Sequence, residues 1–365
     1  MSSGTFTIVP SELNEVIEAA VQGMLPIFIW GPPGIGKSMI VRQCADARGG
    51  LLIDLRMAQT EPTDVRGIPF YNKESNRMEW AHPIDLPSEE EAAKYPIVFL
   101  FLDELNSAPP AVQAAAYQLV LDRRVGTYVL PENVFIVAAG NRETDRGVTY
   151  KMPAPLANRF VHIDVEPDFA SWNQWAADSG QHQDIIGYLE FAKEDLFKLD
   201  AKSSSKAFRT PRSWSYVDRI IRLTSVSERT KSVMIAGSVS EGTAISFIAH
   251  RKHAANLPSA KEILNGDVEK LDRDHEISAL YTLTNTIAVE LKDMAKGSVS
   301  REVFERSCNT LLRFFMDNYT PEMITYAIRT IAVTHKVPLP IAKLGNYREL
   351  LEKNKKFLTR QRSDG

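Results

Sequence analysis

The chain is 365 residues long, 44% hydrophobic and 24% charged, with 43 basic and 46 acidic side chains giving a formal net charge of -3. That composition excludes a disordered, collagen-like or disulfide-scaffold protein, and the length suits two domains or one large domain with an appendage. A chain so balanced has no bulk electrostatic reason to coat nucleic acid or an anionic membrane.

The two cysteines, Cys44 and Cys308, stand far apart without Cys-x-x-Cys spacing and read as reduced thiols. The first residues show no basic-then-apolar leader pattern, and no apolar run approaches the roughly 18 residues of a membrane span. These features predict a soluble, cytoplasmic protein.

In the first half, helical patterns alternate with five short apolar runs: Pro26–Trp30, Leu51–Leu55, Ile97–Leu102, Val134–Ala138 and Val161–Val165. Near-continuous apolar runs of five or six residues suit strands buried on both faces, and therefore a parallel sheet. Leu13, Val16, Ile17, Ala20 and Val21 fall at helical spacing behind Ser11, a candidate N-cap. Val112, Ala115, Ala116, Leu119 and Val120 repeat the pattern. The alternation predicts a doubly wound α/β domain ending near Glu166–Asp168.

Beyond that point strand-like runs largely stop. Helices are predicted over Asp168–Ser179, Asp184–Phe197, Arg212–Leu223, Gly242–Ala254, His275–Lys296, Arg301–Asn318 and Pro321–Thr334. The Ser/Lys-rich stretch Ala201–Arg209 reads as a loop, and Leu351–Gly365 as a solvated basic tail.

Two motifs carry chemistry. Gly31-Pro32-Pro33-Gly34-Ile35-Gly36-Lys37-Ser38, followed by Met39, fits the G-x-x-x-x-G-K-[ST] phosphate loop. Glycines let backbone N–H groups turn inward, and the positive end of the following helix adds to them. Lys37 would reach the β- and γ-phosphates of ATP, and the Ser38 hydroxyl would bind Mg²⁺. A predicted strand before the motif and a helix after it supply the required context.

The second motif is Asp103-Glu104, behind six apolar residues. Asp103 suits the Mg²⁺ shell, and Glu104 suits activation of a water for attack on the γ-phosphate. Strand Leu51–Leu55 lies between the motifs in sequence, which favours an ATPase with an inserted central strand. No Ser-His-Asp or Cys-His arrangement offers another chemistry. His82, His162, His250 and His253 form no metal-ligand pattern. Trp172, Trp175 and Trp214 read as packing residues.

Taken together, these residues resemble the AAA+ superfamily, and specifically its MoxR-type branch. Asn141, after the strand VFIVAAG, matches the family's sensor 1. Arg159, in PLANRF, matches its arginine finger, with Arg142 and Arg146 as alternatives. Arg212, in TPRSW, matches sensor 2, in cis or in trans. DELN at 103–106 is close to the DEIN form of this branch.

The resemblance implies an AAA+ core over residues 1–166 with a parallel five-stranded sheet and a helix-2 insert at about 60–86. It implies a helical lid at 167–273, followed by a helical extension at 274–365. Within the insert, Ile68–Tyr71 and Arg77–Trp80 would pair as a hairpin turning at Asn72–Asn76. Such inserts project toward a central pore in the family. Arg123–Thr127 would lie near a second hairpin.

A finger acting in trans implies a homo-oligomer, and the family a hexameric ring. The family further implies ATP/ADP as ligand and a chaperone-like remodelling role. Its partner is often a separate protein with a von Willebrand factor A domain, and this chain has no D-x-S-x-S stretch of its own. The alternatives are a nucleic-acid motor, which the net charge disfavours, and a slow nucleotide-switched scaffold.

Overall fold

The computed structural model describes residues 6–142, 144–145, 150–199, 206–271, 275–347 and 349–350. These fall into two compact units. The first runs to Asp168 and includes Leu199 and Thr210–Arg212; the second holds the other described residues from Phe169 onward.

In the first unit the elements follow in order: β1 (Thr7–Ile8), α1 (Pro10–Gln22), β2 (Ile27–Trp30), α2 (Lys37–Ala47) and β3 (Leu51–Arg56). Then come α3 (Pro62–Arg66), β4 (Ile68–Asn72), β5 (Arg77–Ala81), α4 (Glu89–Ala92) and β6 (Val98–Asp103). The unit continues with α5 (Pro110–Asp122), β7 (Arg124–Val125), β8 (Tyr128–Val129), β9 (Val134–Gly140), α6 (Ala154–Ala157) and β10 (Val161–Val165).

Six strands form one sheet in the order β1-β10-β2-β9-β6-β3, parallel throughout. The five predicted strands are all present. The sixth, β1, is a two-residue edge strand against β10 and too short to show a pattern. The central strands owe their burial on both faces to their composition: every residue of β9, and of β6 as far as Leu102, is buried. Leu100, Leu102, Val134 and Ile136 join Val112, Ala116 and Leu119 of α5 in one apolar core.

The start of α1 departs from the expected cap. The helix begins at Pro10, and its first turn is closed by the Glu12 carboxylate accepting from the Val9 N–H at 2.9 Å. Proline suits that first position because its missing N–H is not needed there. Ser88 does cap α4, accepting from the Glu91 N–H.

The hairpin in the insert is β4–β5, paired Ile68 to Ala81 and Asn72 to Arg77. The β7–β8 hairpin braces it. Gly126 in its turn lies against the Trp80 ring, and the Tyr128 ring lies tilted against that of His82 and donates its hydroxyl to the Pro87 carbonyl at 2.7 Å. Ile68, Phe70, Tyr71, Met78 and Val129 remain exposed.

The second unit is helical: α7 (Phe169–Ser179), α8 (Gln183–Phe191), α9 (Pro211–Ile221), α10 (Glu228–Val239) and α11 (Glu241–Ala254). It continues with α12 (Ala260–Asn265), α13 (Ile277–Asp293), α14 (Arg301–Asn318) and α15 (Pro321–Arg329). Trp172 and Trp214 pack in its core with Ile185, Leu189 and Phe247. Helices α8 and α13 pack along each other, joined where the amide of Asn285 meets the carboxylate of Glu190. The helix predicted over Asp184–Phe197 stops at Phe191, and α10 and α12 have no counterpart in the sequence reading. The basic tail Leu351–Gly365 lies outside the described residues, as does most of the predicted loop Ala201–Arg209. Among the described residues, no helix is long and apolar enough to cross a membrane.

Candidate nucleotide site

Strand order builds the site. β9 lies between β2, which feeds the glycine loop, and β6, which ends at Asp103. Three strand ends therefore meet at one edge of the sheet, with Asn141 between the two sequence motifs.

The glycine loop takes its shape from backbone that other residues adopt poorly. Gly34 and Gly36 have φ of +79° and +101°, and a side chain at 34 would also meet Thr210 Oγ1 at 2.8 Å. At Gly31 a Cβ would lie 2.6 Å from the Val165 carbonyl oxygen, which keeps the loop close to the end of β10. Gly36 then starts α2, so the N–H groups of Lys37, Ser38 and Met39 occupy the positive end of an 11-residue helix. Pro32, Pro33 and Ile35 complete the turn.

Lys37 is buried. Its ammonium donates to the carbonyls of Gly31 (2.6 Å) and Pro32 (3.0 Å) and to Asn141 Oδ1 (3.2 Å). Burial pulls its pKa down to about 8; Asp103 and Asp145 act against that, Arg212 adds to it, and Glu104 opposes it. The Ser38 hydroxyl donates to Asp103 Oδ2 at 3.1 Å. These are hard oxygen donors at the mouth of a phosphate loop, a set that fits Mg²⁺ when completed by phosphate oxygens and water. Among the described residues no three His, Cys, Asp or Glu side chains gather as a metal cage, so the protein alone supplies few ligands.

Glu104 follows in a left-handed conformation, φ 55° and ψ 34°, with its N–H on Asp103 Oδ1 at 3.0 Å. That turn leaves its side chain exposed while Leu105 and Asn106 enter the interior.

The arginines separate. Arg142 is held within its own chain, paired with Asp164 (3.2 Å) and Glu166 (3.5 Å) and bonded to the Val165 carbonyl at 3.0 Å. Arg146 lies outside the described residues. Arg159, just past α6, is exposed, and no ion pair holds it among the described residues. Arg212 is exposed, and its N–H donates to the Gly34 carbonyl at 3.2 Å, bringing it beside the loop.

Sequence reasoning missed the role of Asn106. It is 2% exposed and donates to the Asn141 carbonyl at 2.7 Å. The available signal was the position itself, the last residue of DELN, two residues past Glu104. Its partner becomes visible only once β9 is known to lie beside β6.

The chain is similar to known proteins over its first unit. Residues 26–162 match the model of the ATPase family associated with various cellular activities, AAA. The chain is similar to the chaperone MoxR1 of Mycobacterium tuberculosis, 26% identical over 156 residues, covering 40% of this chain and 38% of that protein. It is also similar to the midasin of Giardia intestinalis, 27% identical over 159 residues, covering 41% of this chain and 3% of that one. The matched region thus spans well under half the length of either relative. A solved variant of Thermotoga maritima RuvB is 17% identical at a TM-score of 0.38, covering 80% of this chain and 85% of that one.

Proposed function

We propose that this chain, which by its nucleotide-binding core belongs to the MoxR-type AAA+ ATPases, hydrolyses ATP in a ring of identical subunits to remodel a separate protein partner. The observation that carries the reading is the meeting of Lys37, Ser38, Asp103 and Asn141 within hydrogen-bond distance at three strand ends.

In this mechanism the glycine loop and the start of α2 hold the phosphates through backbone N–H groups. Lys37 exchanges its carbonyl partners for the β- and γ-phosphate oxygens. Ser38 and Asp103 would hold Mg²⁺, which would neutralise charge on those oxygens. Asn141 donates its amide to the attacking water, and Glu104 takes the proton as the water oxygen bonds to the γ-phosphorus. The bond to the β-phosphate oxygen breaks, leaving ADP and phosphate. Arg159 supplies charge to a neighbouring subunit's γ-phosphate; its exposure, against the internal pairing of Arg142, favours it as the finger. Arg212 reports phosphate occupancy to the helical lid that begins after the core, with the region from 274 as an extension.

A protein partner is favoured over a nucleic-acid track by the near-neutral charge and by the exposed apolar side chains of the paired hairpins. A protein bearing a von Willebrand factor A domain is the partner we propose. The decisive test is Glu104→Gln: it should bind ATP with unchanged affinity and lose at least about 100-fold in turnover. Retained turnover would overturn the role given to Glu104.

A further inference from the structure

Asn106 makes two hydrogen bonds and one close approach beside the site. Its Nδ2 donates to the Asn141 carbonyl at 2.7 Å. Its main-chain carbonyl accepts from the Tyr150 N–H at 2.7 Å. Its Oδ1 is buried without a hydrogen-bond partner and faces Gly140, where a Cβ would overlap it. The first two contacts tie it to Asn141, at the end of β9, and to Tyr150. The residue itself sits in the short turn Leu105–Ser107, whose first hydrogen bond runs from the Ser107 N–H to the Glu104 carbonyl at 2.8 Å.

A buried amide with an unsatisfied oxygen is costly, and a simple packing residue would be apolar here. The amide is explained if its donor is needed. It fixes the turn carrying Glu104 against the strand end carrying Asn141, two side chains that must address the same water. Geometric tolerance at such a pair is small, because a misplaced base costs rate without costing affinity.

We propose that Asn106 is a positioning residue for hydrolysis, setting the Glu104 turn against Asn141 through its side-chain donor. The proposal rests on the roles given above to Glu104 and Asn141. Its signature is a loss chiefly in kcat, since its two hydrogen bonds go to the backbone of Asn141 and Tyr150 and not directly to the glycine loop or Lys37.

The test uses the full chain with Asn106→Ala and Asn106→Leu; both remove the donor, and the second keeps most of the side-chain volume. Each should lower kcat tenfold or more, with KM and ADP affinity changed less than twofold. Unaltered kcat in either folded variant would overturn the proposal, as would parallel losses of kcat and ADP affinity, the mark of a merely structural residue, and as would failure of both variants to fold. Glu104→Gln is measured alongside: inactive Glu104→Gln with normal Asn106 variants sinks this proposal alone, whereas active Glu104→Gln sinks it together with the reading beneath it.

Discussion

Two ionisable side chains are buried to nearly the same degree, one in each unit: Lys37 at 8% exposure and Glu190 at 6%. Their surroundings differ. Lys37 is bonded only to neutral oxygens, two carbonyls and the Asn141 amide, and burial lowers its pKa to about 8. Glu190 is enclosed by donors: Asn173 at 2.9 Å, Asn285, and the hydroxyl of Tyr326. Asn285 in turn accepts from His335 at 2.8 Å, and burial pushes that imidazole down to about 4, keeping it neutral. Burial also raises Glu190 above the usual carboxylate range. Neither has a directly bonded counter-charge, but Lys37 stands at the glycine loop, where a phosphate can bring one, whereas both oxygens of Glu190 are already bonded inside a helical core. Burial alone therefore does not mark function. Room for a ligand beside the buried group does.

The largest effect that can break this contrast lies at the nucleotide. Lys37→Ala subunits should bind no ATP, and Arg159→Ala subunits should bind it but turn over about 10³-fold more slowly. Mixing the two should restore part of the activity, because some interfaces then pair an intact Lys37 with an intact Arg159. Co-assembly without rescue, measured by steady-state ATP hydrolysis, would remove Arg159 from the role of finger. At the other site the expected loss is one of stability. Glu190→Ala should cost about 3 kcal/mol in urea unfolding, because buried donors of Asn173, Asn285 and Tyr326 lose their acceptor. A change below about 0.5 kcal/mol would show that water replaces the carboxylate at little cost.

The smallest effect is a pH dependence. The folded-state pKa of Lys37, about 8, lies below its ordinary 10.5, so its burial costs stability below pH 8 and that cost is relieved as the pH rises toward 10.5. Ligand binding runs the opposite way, since phosphate requires the ammonium. ATP affinity should hold steady below about pH 8 and fall by up to about tenfold per unit above it, with proton uptake visible by calorimetry in buffers of different ionisation enthalpy. A flat profile from pH 7 to 10 would place the lysine charge outside the binding energy.

The sequence carried the site further than it carried the helices. Strands such as Val134–Ala138 and the two motifs are local signals, readable because a buried parallel strand is apolar throughout and a phosphate loop needs its glycines. Helix α10 escaped because its face is mixed, with only Ile235 and Val239 buried among twelve residues. Helix α12 escaped because six residues hold less than two turns. The internal pairing of Arg142 and the bond from Asn106 to Asn141 were illegible for another reason. Both depend on which strand lies beside which, and sequence spacing does not encode that order. Placing β9 between β2 and β6 turned three separate motifs into one constellation.

The backbone at Glu104 has a consequence of its own. A left-handed conformation costs a residue with a side chain about 1 kcal/mol and costs glycine almost nothing. Selection for thermal robustness alone would favour glycine or asparagine at position 104. On the role proposed for Glu104, a carboxylate at this position gives up some stability to hold one side chain in place. On the same reading, a stabilised variant carrying glycine there should bind nucleotide without cycling.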